Sequence, residues 1–365
     1  MKKKIVLTLA LLLMLLAFFA ACAPTQNSGD TQGSSSAPSG STSDGDAYDP
    51  QEDPLAQPYL ELMQYYDDCA TPGKVETLTY NVEMYAVEEK EGEAPGTRFE
   101  EKKLYVYLPY GYTAEKQYDI LYLLHGSNET TDYWFYSQKA VSSFYRKVVG
   151  ASNAIEINYT KNVLDNLIAE GKCDPFIVVT PSYNAATVDE KAYGSTLEET
   201  QFWLTTFEKE LREDIIPLVE SRYSTYAAGD TSEAGLKASR AHRAIAGFSK
   251  GGRYTSGYAM NNMLDVFSSF GCFHGCEDIS KESIAKALAD NPGCGFDFFY
   301  LGSGDADVSH AKALKAMHEM VLSDLSEVFT EGGNYTFYNK PKGGHFYDSA
   351  LLDLYHFVLT VYSAA

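Results

Sequence analysis

A serine between two glycines is the part of this sequence that most directly predicts chemistry. Residues 246–252 read Ala-Gly-Phe-Ser-Lys-Gly-Gly and place Ser249 in a G-x-S-x-G pattern. The pattern follows an apolar stretch typical of a buried strand and precedes a stretch typical of a helix. In that context a sharp turn lifts a serine hydroxyl out of the sheet, and the two glycines permit the tight backbone. Ser249 is therefore the predicted nucleophile of an acyl transfer.

A serine nucleophile needs a general base, and the sequence contains seven histidines. His345 follows two glycines between the last predicted strand and the last predicted helix, where an imidazole can reach over the sheet edge. His242 begins the strand that leads to Ser249, so it lies at the wrong end, and His356 falls among apolar residues, as a packed or interface histidine would. The others lie in turns or on a helical pattern: His125, His274, His310 and His318. His345 is the predicted general base.

The acid that orients this imidazole is expected between the serine and the histidine in chain order. Asp305 follows Leu-Gly-Ser-Gly at the carboxyl end of a predicted strand and is favoured. Asp307 is the rival, although an aspartate at such a place is more often a helix cap. Glu277 and Asp278 are less favoured alternatives.

Acyl transfer also requires hydrogen-bond donors for the oxyanion. The residue after the nucleophile, Lys250, offers its backbone N–H. The second donor is assigned to the N–H of Ser127, with Gly126 as the alternative, in the turn after the predicted strand 118–124. His125 in that turn is interpreted as structural.

Strands and helices alternate along the chain, which predicts βαβ units and a mostly parallel sheet. Two segments alternate apolar and polar residues, as half-buried antiparallel edge strands do: 78–87 and 98–109. Nearly continuous apolar runs suit strands buried on both faces: 118–124, 176–180, 242–248, 296–301 and 335–338. Helical patterns occupy 162–170, 202–222 and 310–329. Residues 227–241 are small and polar and are predicted to form an exposed loop.

These features together resemble the family 1 carbohydrate esterases, and most closely the feruloyl esterase domains attached to bacterial xylanases. The resemblance rests on several blocks of sequence: 121–126, 166–171, 179–181, 216–221, 242–247 and 343–345. It implies an α/β-hydrolase fold with a mostly parallel central sheet, antiparallel N-terminal edge strands and helices on both faces. It also implies no cofactor and a triad of Ser249, Asp305 and His345.

Departures from that family point to the substrate. Lys250 stands where an apolar residue is usual; its ammonium either favours an anionic group or, as we prefer, is solvated. Residues 130–159 are longer than the family's segment and rich in aromatics, so they form either an aromatic wall for a sugar or phenolic acyl group, or a packed surface helix. The residues predicted to contact substrate are Trp134, Tyr183 and Asn184.

The amino terminus predicts export. Three lysines precede seventeen residues that are apolar except for Thr8, as in a signal peptide. Residues 19–22, Phe-Ala-Ala-Cys, resemble the lipobox of bacterial lipoproteins, with Phe19 in place of the usual leucine. This resemblance predicts a signal peptide at 1–21, a diacylated Cys22 in a flexible tether over 22–50, and an esterase domain over 51–365. A plain secretory signal or an uncleaved anchor is the alternative.

Charge and cysteine content restrict the partners. With 29 basic and 50 acidic residues the formal charge is −21, which disfavours binding to a phosphate backbone, so no nucleic acid partner is expected. Five cysteines follow Cys22, so at least one thiol stays free outside any disulfide: Cys69, Cys173, Cys272, Cys276 and Cys294. A metal at residues 272–276 is disfavoured, because no second ligand pair follows.

The sequence therefore predicts a lipid-anchored serine esterase, outside the cell, that removes feruloyl or related acyl groups from plant cell-wall polysaccharide. The expected partners are an acylated polysaccharide or oligosaccharide and the membrane, the latter through the lipid only. An esterase for acetyl-xylan, a siderophore lactone or a thioester, and an acyltransferase of the same fold, are the nearest alternatives. A binding lipoprotein that has lost turnover belongs to a different class, which the intact motifs disfavour.

Overall fold

The described part of the chain begins close to the end of the predicted tether. The structure, a computed structural model, describes residues 48–85, 92, 94, 96, 99–184, 206–277 and 279–364. The predicted signal peptide, Cys22 and the tether as far as residue 47 lie outside the described residues. The chain divides into two units between Tyr48 and Asp49, and every element below belongs to the second. None of the helices described has the length and apolar character that crossing a bilayer requires.

Among the described residues, eight strands form the central sheet. In their order across the sheet they are β1 Lys74–Glu83, β2 Phe99–Leu108, β6 Phe176–Thr180, β3 Asp119–Leu124, β7 Arg243–Phe248, β8 Ser269–Phe273, β9 Phe298–Gly304 and β10 Tyr335–Lys340. Neighbours pair in parallel from β6 across to β10, whereas β2 runs antiparallel to both β1 and β6. Two short strands, β4 Lys139–Ala140 and β5 Glu156–Ile157, form a separate antiparallel pair.

Helices cover both faces of this sheet. They are α1 Gln57–Met63, α2 Ser143–Val148, α3 Thr160–Ala169, α4 Ile216–Arg222, α5 Glu233–Ala238, α6 Lys250–Tyr254, α7 Met260–Asn262, α8 Lys281–Asp290, α9 Ala311–Asp324 and α10 Tyr347–Val361. A π-helical turn, Leu211–Ile215, precedes α4, and a second, Thr255–Ala259, joins α6 to α7. The predicted α/β fold, with its antiparallel N-terminal edge, is confirmed.

The alternation of side chains along β3 explains why the sheet has two cores. Ile120, Tyr122 and Leu124 join the core beneath α4 to α9, whereas Leu121 and Leu123 join the core beneath α1, α2, α3 and α10. Successive residues of a strand point to opposite faces, so a run that is apolar throughout is buried from both sides. The continuous apolar runs in the sequence are therefore the central strands.

Several elements were not predicted from the sequence, among them α5 and β8. Residues 227–241 are not only a loop: they contain α5, whose first turn is capped by the hydroxyl of Ser232 and which buries Leu236. Strand β8 was not predicted, because a glycine interrupts its short apolar run. A Cβ at Gly271 would lie 2.8 Å from the Cβ of Ala246 on β7, so glycine permits this close packing. The same glycine that lets β8 pack against β7 is what hid the strand from the sequence prediction.

Candidate active site

Ser249 occupies a strained turn between β7 and α6. Its backbone has φ 54° and ψ −113°, a positive φ that residues with a side chain rarely adopt. Its N–H donates to the carbonyl of Phe273 at 2.7 Å. A Cβ at Gly247 would lie 2.6 Å from the carbonyl carbon of Gly251, and one at Gly251 would lie 2.6 Å from the carbonyl oxygen of His125. Backbone contacts thus hold the turn where larger residues would not fit.

His345 meets this serine from the loop after β10. Its Nε2 accepts a hydrogen bond from the Ser249 hydroxyl at 2.9 Å, and its Nδ1–H donates to Oδ2 of Asp307 at 2.8 Å. The ring packs against Phe248, with centroids 4.7 Å apart. The structure therefore brings the predicted nucleophile and the predicted base together, in the tautomer that a serine nucleophile requires.

The acid on His345 is Asp307, and the prediction of Asp305 is wrong. Asp305 still pairs with the neighbouring strand, because its N–H donates to the carbonyl of Lys340. Its side chain is exposed, and the carboxylate accepts the N–H of Lys342 at 2.7 Å. A turn from Gly304 then brings Asp307 back over the strand ends. The other oxygen of Asp307 accepts the N–H groups of residues 309 and 310, in the turn before α9. The N-cap position of α9 is His310, so Asp307 is not the helix cap that the sequence offered as its alternative role.

Three imidazoles contact the buried carboxylate of Asp307. Oδ2 accepts the Nδ1–H of both His345 and His274 at 2.8 Å, and His310 lies 3.3 Å from Oδ1. Burial by itself raises the pKa of Asp307, but the hydrogen bonds from His274, His310 and His345 outweigh it and hold that pKa well below its usual range. Asp307 is therefore ionised at neutral pH.

The cluster of His274, Asp307 and His345 has the residue types of a metal site. The two N···O separations of 2.8 Å are those of hydrogen bonds, however. Two ligands on one tetrahedral ion with bonds of about 2.0–2.1 Å would lie roughly 3.3 Å apart. The five described cysteines are free thiols. The geometry supports a hydrogen-bonded triad at this place.

The turn after β3 lies beside the nucleophile. A Cβ at Gly126 would lie 3.5 Å from the Cβ of Ser249, whereas the side chain of Ser127 is exposed. His125 fixes this turn from within: Nδ1–H donates to the Gly126 carbonyl at 2.8 Å, and Nε2 accepts the hydroxyl of Ser182 at 2.9 Å. Burial lowers the pKa of His125 to about 3, so the ring is neutral and its role is structural.

The residues predicted to contact substrate are placed differently. Trp134 is completely buried, and its indole N–H donates to the carbonyl of Leu124, so the prediction that it lines the site is wrong. Tyr183 is also buried, with its hydroxyl donating to the carbonyl of Gly126 at 2.7 Å, so it supports the turn from beneath instead of facing a ligand. Asn184 is half-buried and donates from its amide to the carbonyl of Glu129. The segment that follows it, 185–205, lies outside the described residues.

The aromatic segment 130–159 is mostly packed protein, which favours the second of the two interpretations. Tyr133 lies buried, with its ring parallel to that of Phe248, and Phe144 packs against Tyr59. Tyr136 is the exception, with about half of its surface exposed.

Lys250 is buried, contrary to the preferred interpretation of a solvated ammonium. Only 7% of it is exposed, and Nζ lies 5.0 Å above the ring of Tyr183. Burial, followed by the nearby charge of Arg253, lowers the pKa of Lys250 to about 8. A cation thus lies beside the nucleophile and the turn of His125.

The sequence did not predict that His274 and His310 contact the catalytic carboxylate of Asp307. His274 follows β8 directly, and β8 was not recognised as a strand, so nothing placed the residue at the catalytic edge. The available signal was position, since side chains that follow parallel strands gather at one edge of a sheet.

Comparison with known proteins agrees with this geometry. The model of the family Esterase, described as "Putative esterase", matches residues 99–292. The chain is 32% identical over 256 residues to an endo-1,4-beta-xylanase Y of Acetivibrio thermocellus, covering 67% of this chain and 20% of that protein. It is 30% identical over 213 residues to an endo-1,4-beta-xylanase/feruloyl esterase of Xylanibacter ruminicola, covering 55% of this chain and 22% of that protein. The chain thus spans about a fifth of the length of these relatives.

Solved structures show the same fold. A mutant of the feruloyl esterase module from Clostridium thermocellum, complexed with sinapinate, superposes with a TM-score of 0.60 at 28% identity, over 82% of this chain and 90% of that one. A ferulic acid esterase from Anaeromyces mucronatus in complex with ferulic acid gives 0.57 at 19% identity, over 81% and 94%. The second likeness concerns the fold alone.

Proposed function

Since the chain belongs to the Esterase family, we propose that it is a serine esterase that hydrolyses feruloyl or related acyl esters on xylan. One observation carries the chemistry: the hydroxyl of Ser249, the imidazole of His345 and the carboxylate of Asp307 form a continuous hydrogen-bonded line of 2.9 and 2.8 Å. All three follow parallel strands of one sheet, so the fold fixes their separation.

The reaction begins as Ser249 attacks the ester carbonyl while its proton moves to Nε2 of His345. Asp307 stabilises the imidazolium through Nδ1–H without taking the proton itself. The carbon–oxygen bond to the sugar then breaks, and His345 gives its proton to the leaving oxygen. Water attacks the acyl-enzyme in the second half, its proton passes to His345 and then to Ser249, and the free acid leaves.

The oxyanion in this scheme binds at the junction of α6 and the turn after β3. We assign one donor to the N–H of Lys250, the first residue of α6, where helical N–H groups are free. The second comes from the turn of Gly126 and Ser127, which lies so close to the nucleophile that a Cβ added at Gly126 would be 3.5 Å from the Cβ of Ser249. The Lys250 ammonium adds a positive field at the same place.

The acyl group is inferred from the relatives. The xylanase/feruloyl esterase of Xylanibacter ruminicola carries that activity in its name, and the Clostridium thermocellum module was solved with sinapinate, a phenolic acid. Phenolic esters on xylan are therefore the substrates to test first. Acetylated xylan is the matched alternative, since its acyl group is small and lacks the ring.

The test compares the purified protein with Ser249→Ala on methyl ferulate and on acetylated xylan. We expect release of ferulate by the wild-type protein, labelling by a fluorophosphonate probe, and neither property in the variant. Turnover that survives in Ser249→Ala would exclude the mechanism. Release of acetate with no release of ferulate would retain the mechanism and reject the substrate.

We also propose that the enzyme acts outside the cell, held to the membrane by a lipid on Cys22. The support is the basic and apolar stretch at 1–21 and the lipobox-like residues 19–22. In a detergent phase-partitioning experiment we expect the wild-type protein in the detergent phase and Cys22→Ser in the aqueous phase. Cys69→Ser, the control, should partition as the wild type does. Wild-type protein in the aqueous phase would refute the anchor.

A further inference from the structure

A second histidine binds the same carboxylate oxygen as the predicted general base. The Nδ1–H of His274 donates to Oδ2 of Asp307 at 2.8 Å, the same length as the bond from His345. The two imidazoles stand nearly perpendicular, with an interplanar angle of 81°. One oxygen thus accepts two N–H groups, which restricts the carboxylate far more than one bond would.

The place of His274 in the fold makes this contact a fixed one. The residue follows β8 with φ 54°, is fully buried, and donates its backbone N–H to the carbonyl of Gly302 at 3.0 Å. The next residue, Gly275, packs directly against the backbone of Ser249. The segment that carries His274 is therefore part of the support of the nucleophile turn.

A buried ion pair lies on the other side of the ring. Nε2 of His274 faces Oδ2 of Asp353 on α10 at 3.7 Å. The other oxygen of Asp353 accepts the ammonium of Lys340 at 2.5 Å and the hydroxyl of Tyr300 at 2.9 Å. Neither Nε2 of His274 nor Oδ2 of Asp353 has a hydrogen-bond partner among the described residues.

This arrangement is expensive for stability alone. Burying a polar atom without a partner costs about 1–3 kcal/mol, and an apolar side chain would avoid that cost. What the imidazole supplies, and an apolar side chain would not, is the N–H on Asp307. The stability lost by burying the unpartnered Nε2 of His274 is therefore explained if the hydrogen bond to Asp307 serves the reaction.

We propose that His274 is a positioning residue for the reaction, holding the Asp307 carboxylate in the orientation that His345 requires. The inference rests on the proposed function, because Asp307 has no other reacting group to serve. The Asp353–Lys340 pair limits rotation of the His274 ring from behind. Burial, followed by the charge of Lys340, lowers the pKa of His274 to about 3, so the ring acts as a neutral donor.

Removing this donor should change the pH dependence of the reaction. The titratable groups that face Asp307 are His274 after β8, His310 beside α9 and His345 after β10; Lys340 and Asp353 lie behind His274. Without the N–H of His274, the negative charge of Asp307 is less dispersed and attracts the proton on His345 more strongly. The acid limb of kcat/KM should then move to higher pH.

Two amide variants separate positioning from packing. Asparagine in His274→Asn places its NH₂ where Nδ1 lies and accepts the positive φ, whereas glutamine in His274→Gln places it where Nε2 lies. We expect His274→Asn to retain kcat within about threefold. We expect His274→Gln to lose about tenfold or more in kcat, with KM nearly unchanged and the acid limb raised, because a misoriented catalytic group costs rate.

His356→Leu is the matched control, because His356 is half-buried, its Nε2 is likewise buried without a hydrogen-bond partner among the described residues, and its ring packs against Tyr338 away from the triad. It should leave the acid limb unchanged. If His274→Gln does not fold, His274→Leu replaces it. Equal kcat in the Asn and Gln variants, whether both high or both low, would overturn the proposal. Fluorophosphonate labelling and release of ferulate by the wild type test the proposed function separately, so its failure is distinguishable from the failure of this proposal.

Discussion

The carboxylate of Asp307 and the imidazole of His345 face each other across 2.8 Å, from loops that follow neighbouring parallel strands. Asp305, two residues earlier, makes its bond to Lys342 in solvent instead. The two aspartates thus form a natural pair of test and control within one turn.

Replacing Asp307 by asparagine should lower kcat by about 10³–10⁴-fold, since an amide favours the wrong imidazole tautomer and does not stabilise the imidazolium. Asp305→Asn should stay within about threefold of the wild type, because an amide oxygen still accepts the N–H of Lys342. Steady-state kinetics on an aryl ester measures both. A larger loss in Asp305→Asn than in Asp307→Asn would reject our assignment of the acid.

The backbone strain at Ser249 should appear as a difference in unfolding free energy between two variants of that residue. Both Ser249→Gly and Ser249→Ala remove the hydroxyl and the bond to His345, but only glycine adopts φ 54° without cost. We expect Ser249→Gly to be more stable than Ser249→Ala by about 1 kcal/mol, with both inactive. Urea denaturation of the two variants gives the difference. Identical midpoints would mean that the turn is unstrained.

The buried ammonium of Lys250 should make stability depend on pH. Its pKa falls to about 8 in the folded protein. Between that pH and the ordinary lysine range the unfolded chain binds more protons, so stability rises as pH rises through this window. Lys250→Met should therefore be more stable than the wild type at pH 7. The expected gain in unfolding free energy is about 1 kcal/mol, after allowance for the lost cation–π contact with Tyr183.

That advantage of Lys250→Met should shrink between pH 8 and pH 10.5, which thermal denaturation across the range can follow. The exposed Lys286, replaced by methionine in the same way, serves as the control and should give a difference that does not change with pH. A constant difference for Lys250→Met would contradict burial of its charge.

A buried ion pair anchors the nucleophile strand from its other end. Arg243, the first residue of β7, binds Glu220 through two hydrogen bonds of 2.7 and 2.8 Å, with both side chains inaccessible. Glu220→Gln leaves the buried guanidinium without a counter-charge and should cost about 3–5 kcal/mol of unfolding free energy, whereas Glu220→Gln combined with Arg243→Met should recover most of that loss. Chemical denaturation measures both. A cost below about 1 kcal/mol for the single variant would contradict this view.

The sequence predicted most of the sheet because its central strands are apolar on both faces, and it predicted Ser249 and His345 because glycines mark both turns. It did not predict Asp307 because the choice between two aspartates depends on where the chain leaves β9 and turns, which no periodicity encodes. The contact of His274 with Asp307 was missed for a related reason: Gly271 interrupts the apolar pattern of β8, so the strand that places His274 at the catalytic edge was not recognised.

The sequence prediction also missed the burial of side chains whose residue types are usually found at the surface or were expected there. Lys250 and Lys340 are both buried, although lysine is among the least buried residues. Trp134, expected at a surface that binds sugar, instead completes the core under β3. Each of these side chains is buried by contacts that exist only once the strands and helices have packed, so composition and spacing alone do not reveal the burial.

The contacts of α10 have a consequence for local unfolding. Asp348 in this helix accepts two hydrogen bonds from Ser142, 206 residues earlier, and the same helix supplies Asp353 behind His274. One helix therefore holds both the segment at Ser142 and the surroundings of the side chain that binds Asp307. We expect local opening of α10 to release both contacts together, so that activity falls while the rest of the sheet remains folded.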